Sequence, residues 1–419
     1  MKQFTLLLLL SITINISASF SQNTEKVDQL LFSGQYTEAI PLLHAMLKKD
    51  SANSKYYFRL GNAYQKLNKN NRAINNYTKA KQLNPNSTAT LLNLSSCFYS
   101  SGNYPKAEQE LVKLQQLTPN NYSVDLLLAK TYSVQNKYQQ SLYIYTKLNQ
   151  QDSLNPNIHK QMGSLKRRMQ NFIGSLDSYI KAYELNPNDL SVIIHIVQQL
   201  YEMAAYQQAL GYISNGLNTF PNNSMLLKKK AQVLIGLEWY DNALTILKEL
   251  KTNNKLSTPE NRQLGICYMQ TRQYEAALKA FTDCGPSLEK DPIINFHTGI
   301  CYARLDQHEK GIKFLEDALF YITPPIEASM HLFLAKSYEA TQQFKKAVVS
   351  YKKHFEMDNT NPDILYEIAT IYEEFGENKD NSLAYYTKFI QQTNEKDDLK
   401  YEYAKSRILH IKENIHFEK

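Results

Sequence analysis

The residue pair that comes nearest to chemistry is His297 and Cys301. They lie four apart, so on a helix they share one face and could supply half of a metal site. No third ligand stands at a matching spacing. The four cysteines, Cys97, Cys267, Cys284 and Cys301, form no CxxC pair and are too scattered along 419 residues for a disulfide framework. Three of them, Cys97, Cys267 and Cys301, follow a small residue by two positions (Ser95, Gly265, Gly299), which reads as a packing site rather than a reactive thiol. A phosphate-cradling glycine loop, an HExxH helix and a GxSxG elbow are missing. The expectation is no catalytic, cofactor-binding or metal-binding residue, and no enzyme.

The frame that carries these residues is periodic. Gly61, Ser95, Ala129, Gly163, Val197, Ala231, Gly265 and Gly299 follow one another at a step of 34; two extra residues intervene, and Ala335 and Ala369 continue. A second small position runs Ala39, Ala73, Ala107, Ser141, Ser175, Ala209, Ala243, Ala277, Gly311, Ala347. An aromatic residue stands three after the first small position in most units, as in Tyr64, Phe98, Tyr132, Tyr268, Tyr302, Tyr338 and Tyr372. Leu60, Gly61 and Tyr64, and again Ala73, Tyr77 and Ala80, fall on helical stripes. Each unit therefore predicts two antiparallel helices of about 13 residues, roughly 20 Å long. The small residues let the pair cross closely, and the aromatics fill the space beside the crossing. Asn and Lys at 68–71 make the inner turn. Pro85, Pro119, Pro187 and Pro221 close second helices, because proline offers no N–H and disfavours helix before it.

This pattern, down to the LGNAY of 60–64 and the NPN of 84–86, resembles the tetratricopeptide repeat in a protein of exported bacterial type. The resemblance implies an all-α chain: a right-handed α-solenoid superhelix of about eleven helix-turn-helix repeats with a C-terminal capping helix. Units start near 20, 54, 88, 122, 156, 190, 224, 258, 292, 328 and 362 and make an array over 22–394, with a cap over 395–419. The cap's Ala404, Ile408, Ile411 and Ile415 share a face, and Asp397 and Asp398 suit its positive end. Cys284-Gly285-Pro286 and Thr323-Pro324-Pro325 are expected bends, near 285–292 and 323–326. Residues 1–21, with Lys2, an apolar Leu6–Ile16 and small residues at Ser17 to Ser21, read as a signal peptide cleaved near Ser19 to Ser21. An exported location, in the periplasm, cell envelope or outside the cell, follows as an expectation, with no integral span in the mature chain.

Composition narrows the partner. Hydrophobic residues are 43% and charged residues 21%, the balance of a folding chain, and a net charge of +7 is short of a dedicated nucleic-acid binder. No nucleic acid is expected. In the family, first helices line an inner groove, and the stripe not used for packing lies at unit positions 5, 9 and 12. The candidate binding residues on it are Phe58, Asn62, Leu92, Tyr99, Leu126, Lys130, Lys160, Arg167, Ile194, Tyr201, Lys228, Gln232, Arg262 and Phe296. The stripe reads as apolar ends around a basic middle, where 156–272 holds 13 Lys and Arg against 8 Asp and Glu. Some relatives clamp a C-terminal carboxylate with Lys and Asn at positions 5 and 9 of successive units. Phe58/Asn62, Leu92/Ser96 and Leu126/Lys130 do not reproduce that clamp. The leading expectation is an exported scaffold that binds a protein or peptide with acidic residues, in an envelope assembly or secretion complex. An acidic-polysaccharide receptor and a non-catalytic subunit of an enzyme complex are the alternatives.

Overall fold

Most first helices, though not Glu327–Ala340, which follows Ile326, begin at a residue able to receive the orphan N–H groups of the first turn. Asn53, Ser87, Asn121, Asn155, Asp189, Asn223 and Asp291 do so in successive units. In the unit that starts at 258, Glu260 instead accepts the N–H of Ser257 at 2.8 Å, half of a capping box. The far end is closed by backbone geometry. Lys69 N–H reaches back to the Tyr64 carbonyl at 2.9 Å, and the same bond joins Asn103 to Phe98, Lys137 to Tyr132, Asn171 to Lys166, and so on to Gln343 and Tyr338. Closing that ring forces the residue before the donor into the left-handed region. Asn68, Asn136, Gln170, Ala204, Glu238, Arg272, Asp306 and Gln342 all sit there, with φ between 55° and 61°. Second helices end at Asn84, Thr118, Asn186 and Phe220, extended residues that precede the four prolines.

This computed structural model describes residues 23–285, 291–321, 326–375, 379–393 and 399–417. Within them the chain is helical throughout, with no strand. After helices at 23–32 and Tyr36–Lys49, the pairs run Ser54–Lys66 with Asn70–Leu83, Thr88–Ser100 with Tyr104–Leu117, Tyr122–Val134 with Tyr138–Gln151, and Pro156–Arg168 with Phe172–Leu185. They continue as Leu190–Glu202 with Tyr206–Thr219, Ser224–Gly236 with Tyr240–Thr252, Thr258–Gln270 with Tyr274–Thr282, and Pro292–Arg304 with His308–Tyr321. Glu327–Ala340 with Phe344–Met357 and Asp363–Phe375 with Lys379–Gln392 complete the series, before a last helix at Leu399–Phe417. This is an α-solenoid of helix pairs. The leader at 1–21, most of the two expected bends and the start of the cap at 395–398 lie outside the described residues. What is described near the first bend is a second helix of only 9 residues, Tyr274–Thr282, followed by Gly285 at φ 88°. No helix among the described residues is long and apolar enough to cross a membrane.

The small residues stand where helices touch. A Cβ on Gly61 would lie 2.5 Å from the Tyr77 ring, and one on Gly265 would lie 2.4 Å from Phe281. Where the second small residue is serine, its hydroxyl donates to the carbonyl of the first. Ser141 bonds Ala129 at 2.8 Å and Ser175 bonds Gly163 at 2.7 Å, twelve residues apart. In the last pair Ser382 bonds Ala369 across thirteen residues, so this unit is offset by one and keeps the same contact.

The helices gather into two compact units, Met1–Gln199 and Leu200–Lys419. In the first, Tyr77, Tyr145 and Tyr179 are buried to 1% exposure or less among leucines such as Leu60, Leu94, Leu111 and Leu148. In the second, Tyr351, Tyr386 and Phe389 play the same part. Burying one such leucine stabilises by about 1.5–3 kcal/mol, which is why the array folds by packing rather than by helix propensity. The last helix covers the final pair. Ala404 and Ile411 pack on Leu365, Ala369, Tyr386 and Phe389; Lys400 reaches Asp363 at 2.8 Å, and Arg407 Nε reaches Glu373 at 2.6 Å.

Candidate protein-interaction surface

The thiols and the histidine pair are structural. Cys97, Cys267 and Cys301 are fully buried, and burial pushes their thiols up to about 11, 12 and 12. A thiol held so far above neutral pH is a poor nucleophile and a poor ligand. His297 bonds the Ile293 carbonyl through Nδ1 at 2.7 Å and lies against the rings of Phe281 and Phe296, with burial holding its pKa down. Among the described residues no group of three His, Cys, Asp or Glu could hold a metal ion. The acidic turns at Asp50 and Asp152 also have local work, since each accepts the amide of the next capping residue, Asn53 at 2.9 Å and Asn155 at 3.0 Å.

The stripe at positions 5, 9 and 12 is partly open. In the first unit Phe58, Leu92 and Leu126 are half-buried, each at position 5 of three successive first helices that touch one another. Phe58 leans on Tyr77 with ring centroids 5.8 Å apart, while Leu92 and Leu126 rest on the cluster around Leu91 and Leu128. Asn62 accepts from the Tyr77 hydroxyl at 2.5 Å and from the Asn93 amide of the next unit at 2.9 Å. Its own amide nitrogen has no partner among the described residues. Tyr99 packs edge-on against Tyr104 at 5.5 Å, and burial raises its phenol. Lys130 is exposed.

The basic middle differs from expectation. Lys160 pairs with Asp189 at 2.8 Å within the first unit; in the second, Lys228 pairs with Glu260 at 3.0 Å and Arg262 with Asp291 at 3.7 Å. The cause is register. A position-5 cation reaches the N-terminal turn of the next first helix, where acids collect to cap it and meet its dipole. Burial alone would raise Asp189, but hydrogen bonds from Lys160, Ser191 and Val192 outweigh it and hold the carboxyl below its usual range. Glu260 behaves alike, with Ser257 and Lys228 overcoming burial. These cations join neighbouring repeats and do not form a free positive patch. Arg167 lies over the Phe172 ring at 5.9 Å.

The remaining candidates divide. Ile194 is half-buried, Tyr201 packs on Tyr206 at 5.5 Å, and Gln232 accepts from Lys229 at 3.1 Å. Phe296 is only 8% exposed and meets Phe333 of the following unit at 5.8 Å, so this aromatic is packing rather than open stripe.

Residues 54–87 match the tetratricopeptide repeat family. The chain is 22% identical to the BBSome complex member BBS4 of Bos taurus over 262 residues, which is 60% of this chain and 50% of that protein. It is 35% identical to anaphase-promoting complex subunit 3 of Schizosaccharomyces pombe over 103 residues, 24% of this chain and 15% of that one. The chain thus spans half or less of the length of these curated relatives. The crystal structure of yeast Tom70 aligns over 94% of this chain and 96% of its own, at 13% identity and a TM-score of 0.36.

Proposed function

We propose that this chain, a tetratricopeptide-repeat protein, is a non-catalytic scaffold that holds an extended segment of a partner protein along the first helices of 54–134. The observation that carries the proposal is the in-register set Phe58, Leu92 and Leu126 on three successive touching helices, each left half-buried by the described residues. An extended chain laid across helices meets one such residue per repeat. Asn62 offers an amide donor at one end and Lys130 a free ammonium at the other. Apolar side chains would supply affinity and the two polar groups would fix register. The acidic partner suggested by the basic middle of the stripe loses its strongest support here, because Lys160, Lys228 and Arg262 are paired within the array. The polysaccharide reading loses the same support.

Role and place are part of the proposal. We place the chain in an exported assembly, on the leader-like character of 1–21, and as one subunit among several. Both curated relatives named above are called members of complexes, which supports the second point. Chemical crosslinking followed by identification of the joined partner tests the scaffold. Leu92→Asp with Leu126→Asp should remove that partner and leave far-UV helicity unchanged. Undiminished capture by the double variant would reject the stripe. Sequencing the N-terminus of the mature chain tests export, with a start between 20 and 22 expected.

A further inference from the structure

A different surface, on the second-helix side, is unevenly built along the array. At two places along the array a slot opens between the second helix of one repeat and both helices of the next. They measure about 670 Å³ around Leu128, Tyr132 and Tyr143, and about 600 Å³ around Leu334, Tyr338 and Val349. They occupy one register, because Leu334, Tyr338 and Val349 each follow their counterparts by six repeats plus the two extra residues. The walls are the same and the linings differ.

In the earlier slot the buried acid Asp125 accepts the Gln115 amide at 2.5 Å, and the rim carries Gln139 and Gln140 with one cation, Lys147, which lies over the Tyr143 ring at 5.7 Å and is the counterpart of Lys353. In the later slot Leu319 stands for Gln115 and His331 for Asp125. His331 is 6% exposed, and its Nδ1 has no partner. Burial, then nearby Lys353, hold its pKa below the usual imidazole value, against the opposing pull of Glu327, whose carboxylate lies 3.9 Å from Nε2. Lys345 and Lys346 replace the two glutamines, and Lys353 completes the rim. None of these three lysines has a carboxylate partner among the described residues. The carboxylate that lines the slot, Glu316, is engaged by the Tyr338 hydroxyl at 2.5 Å. Phe320, 80% exposed, projects from the edge.

We propose that the slot bounded by His308–Tyr321, Glu327–Ala340 and Phe344–Met357 is a second docking site. Its occupant is a partner-protein peptide that inserts one apolar side chain between flanking carboxylates. The apolar lining of Leu319, Leu334 and Val349 takes the side chain, and three lysines that have no carboxylate partner among the described residues, one of them (Lys346) over the Tyr338 ring at 5.2 Å, answer the acids. A run of phosphates needs a longer basic track than three lysines around a single opening. The site stands apart from the first-helix stripe and does not rest on it.

The test is fluorescence anisotropy of the purified full chain with the labelled peptide Glu-Asp-Phe-Asp-Glu, against Gln-Asn-Phe-Asn-Gln and Glu-Asp-Gly-Asp-Glu. Saturable binding of the first peptide is expected, with either substitute weaker by about tenfold or more. Lys345→Glu, Lys346→Glu and Lys353→Glu together should weaken it by at least about tenfold. Gln139→Glu, Gln140→Glu and Lys147→Glu together, in the earlier slot, should leave it unchanged, as should Leu92→Asp with Leu126→Asp. The proposal is overturned if binding is not saturable, if the two triple variants lose it equally, or if a single-stranded oligonucleotide displaces the peptide as readily as unlabelled peptide does. All these substitutions are at exposed or half-exposed positions, and far-UV spectra identify any variant that unfolds.

Discussion

The two slots are a natural experiment in one polypeptide. Repeat geometry gives both the same helices, the same tyrosine at Tyr132 and Tyr338, and the same leucine at Leu128 and Leu334. Several exchanges then separate them: Gln115 becomes Leu319, Asp125 becomes His331, Gln139 and Gln140 become Lys345 and Lys346, and Tyr143 and Ile144 become Val349 and Ser350. In the first slot the buried polar group is answered from inside the protein. In the second the Nδ1 of His331 has no hydrogen-bond partner among the described residues, beneath a more positive rim. Shape in this array follows from the repeat, whereas recognition depends on a few side chains that the repeat leaves unconstrained.

The largest effect should come from what the slots share. Leu128→Ala and Leu334→Ala should each cost about 2–5 kcal/mol, because both leucines are buried and their removal leaves a cavity. Hydrogen exchange localised to each slot measures this better than one global transition, since long arrays unfold in parts. Loss at one slot only would mean that the shared floor is not shared core. Next comes the internal answer. Gln115→Leu removes the donor to Asp125 and should cost about 1.5–3 kcal/mol, as hydrogen bonds to charged groups do. The reciprocal Leu319→Gln should change stability by less than about 1 kcal/mol, because a gained bond to His331 offsets lost apolar contact. Equal penalties for the two exchanges would erase the distinction.

The smallest effect belongs to the ion pairs between repeats. Lys228→Met should cost about 0–1 kcal/mol and less in high salt. The pH dependence has a definite sign. Glu260 is held below its usual 4.5 in the folded chain, so the stability it supplies is present above that pH and lost as pH falls through the folded value. Acid titration of wild type against Glu260→Gln should show a gap at neutral pH that closes as the pH falls below the usual carboxylate range and through the folded value. A gap that widens in acid would reverse the assignment.

Much of this was readable from residues alone. The small positions, the aromatics beside them and the closing prolines identify helix pairs because packing and proline chemistry act locally. The buried cysteines were readable on the same ground. The left-handed residue that ends each first helix was not, since Gln170, Ala204, Glu238 and Arg272 carry no signal for it. There the close return of the chain overrides intrinsic preference. The basic stripe misled for a related reason. Summing charge along 156–272 hides the fact that Lys160 and Asp189, 29 residues apart, face each other once the repeats stack. Phe296 looked open because its neighbour Phe333 arrives from the next repeat. The slots, assembled from three helices, leave no mark on any one stretch.

The working face itself is tested most directly by site-specific photocrosslinking. A benzophenone side chain would be placed at Leu92, at Leu126, and at Ile173, a second-helix residue that is 71% exposed. The account predicts one and the same partner joined through 92 and 126 and absent from 173. A partner joined through 173 alone, with nothing captured at either first-helix position, would contradict it.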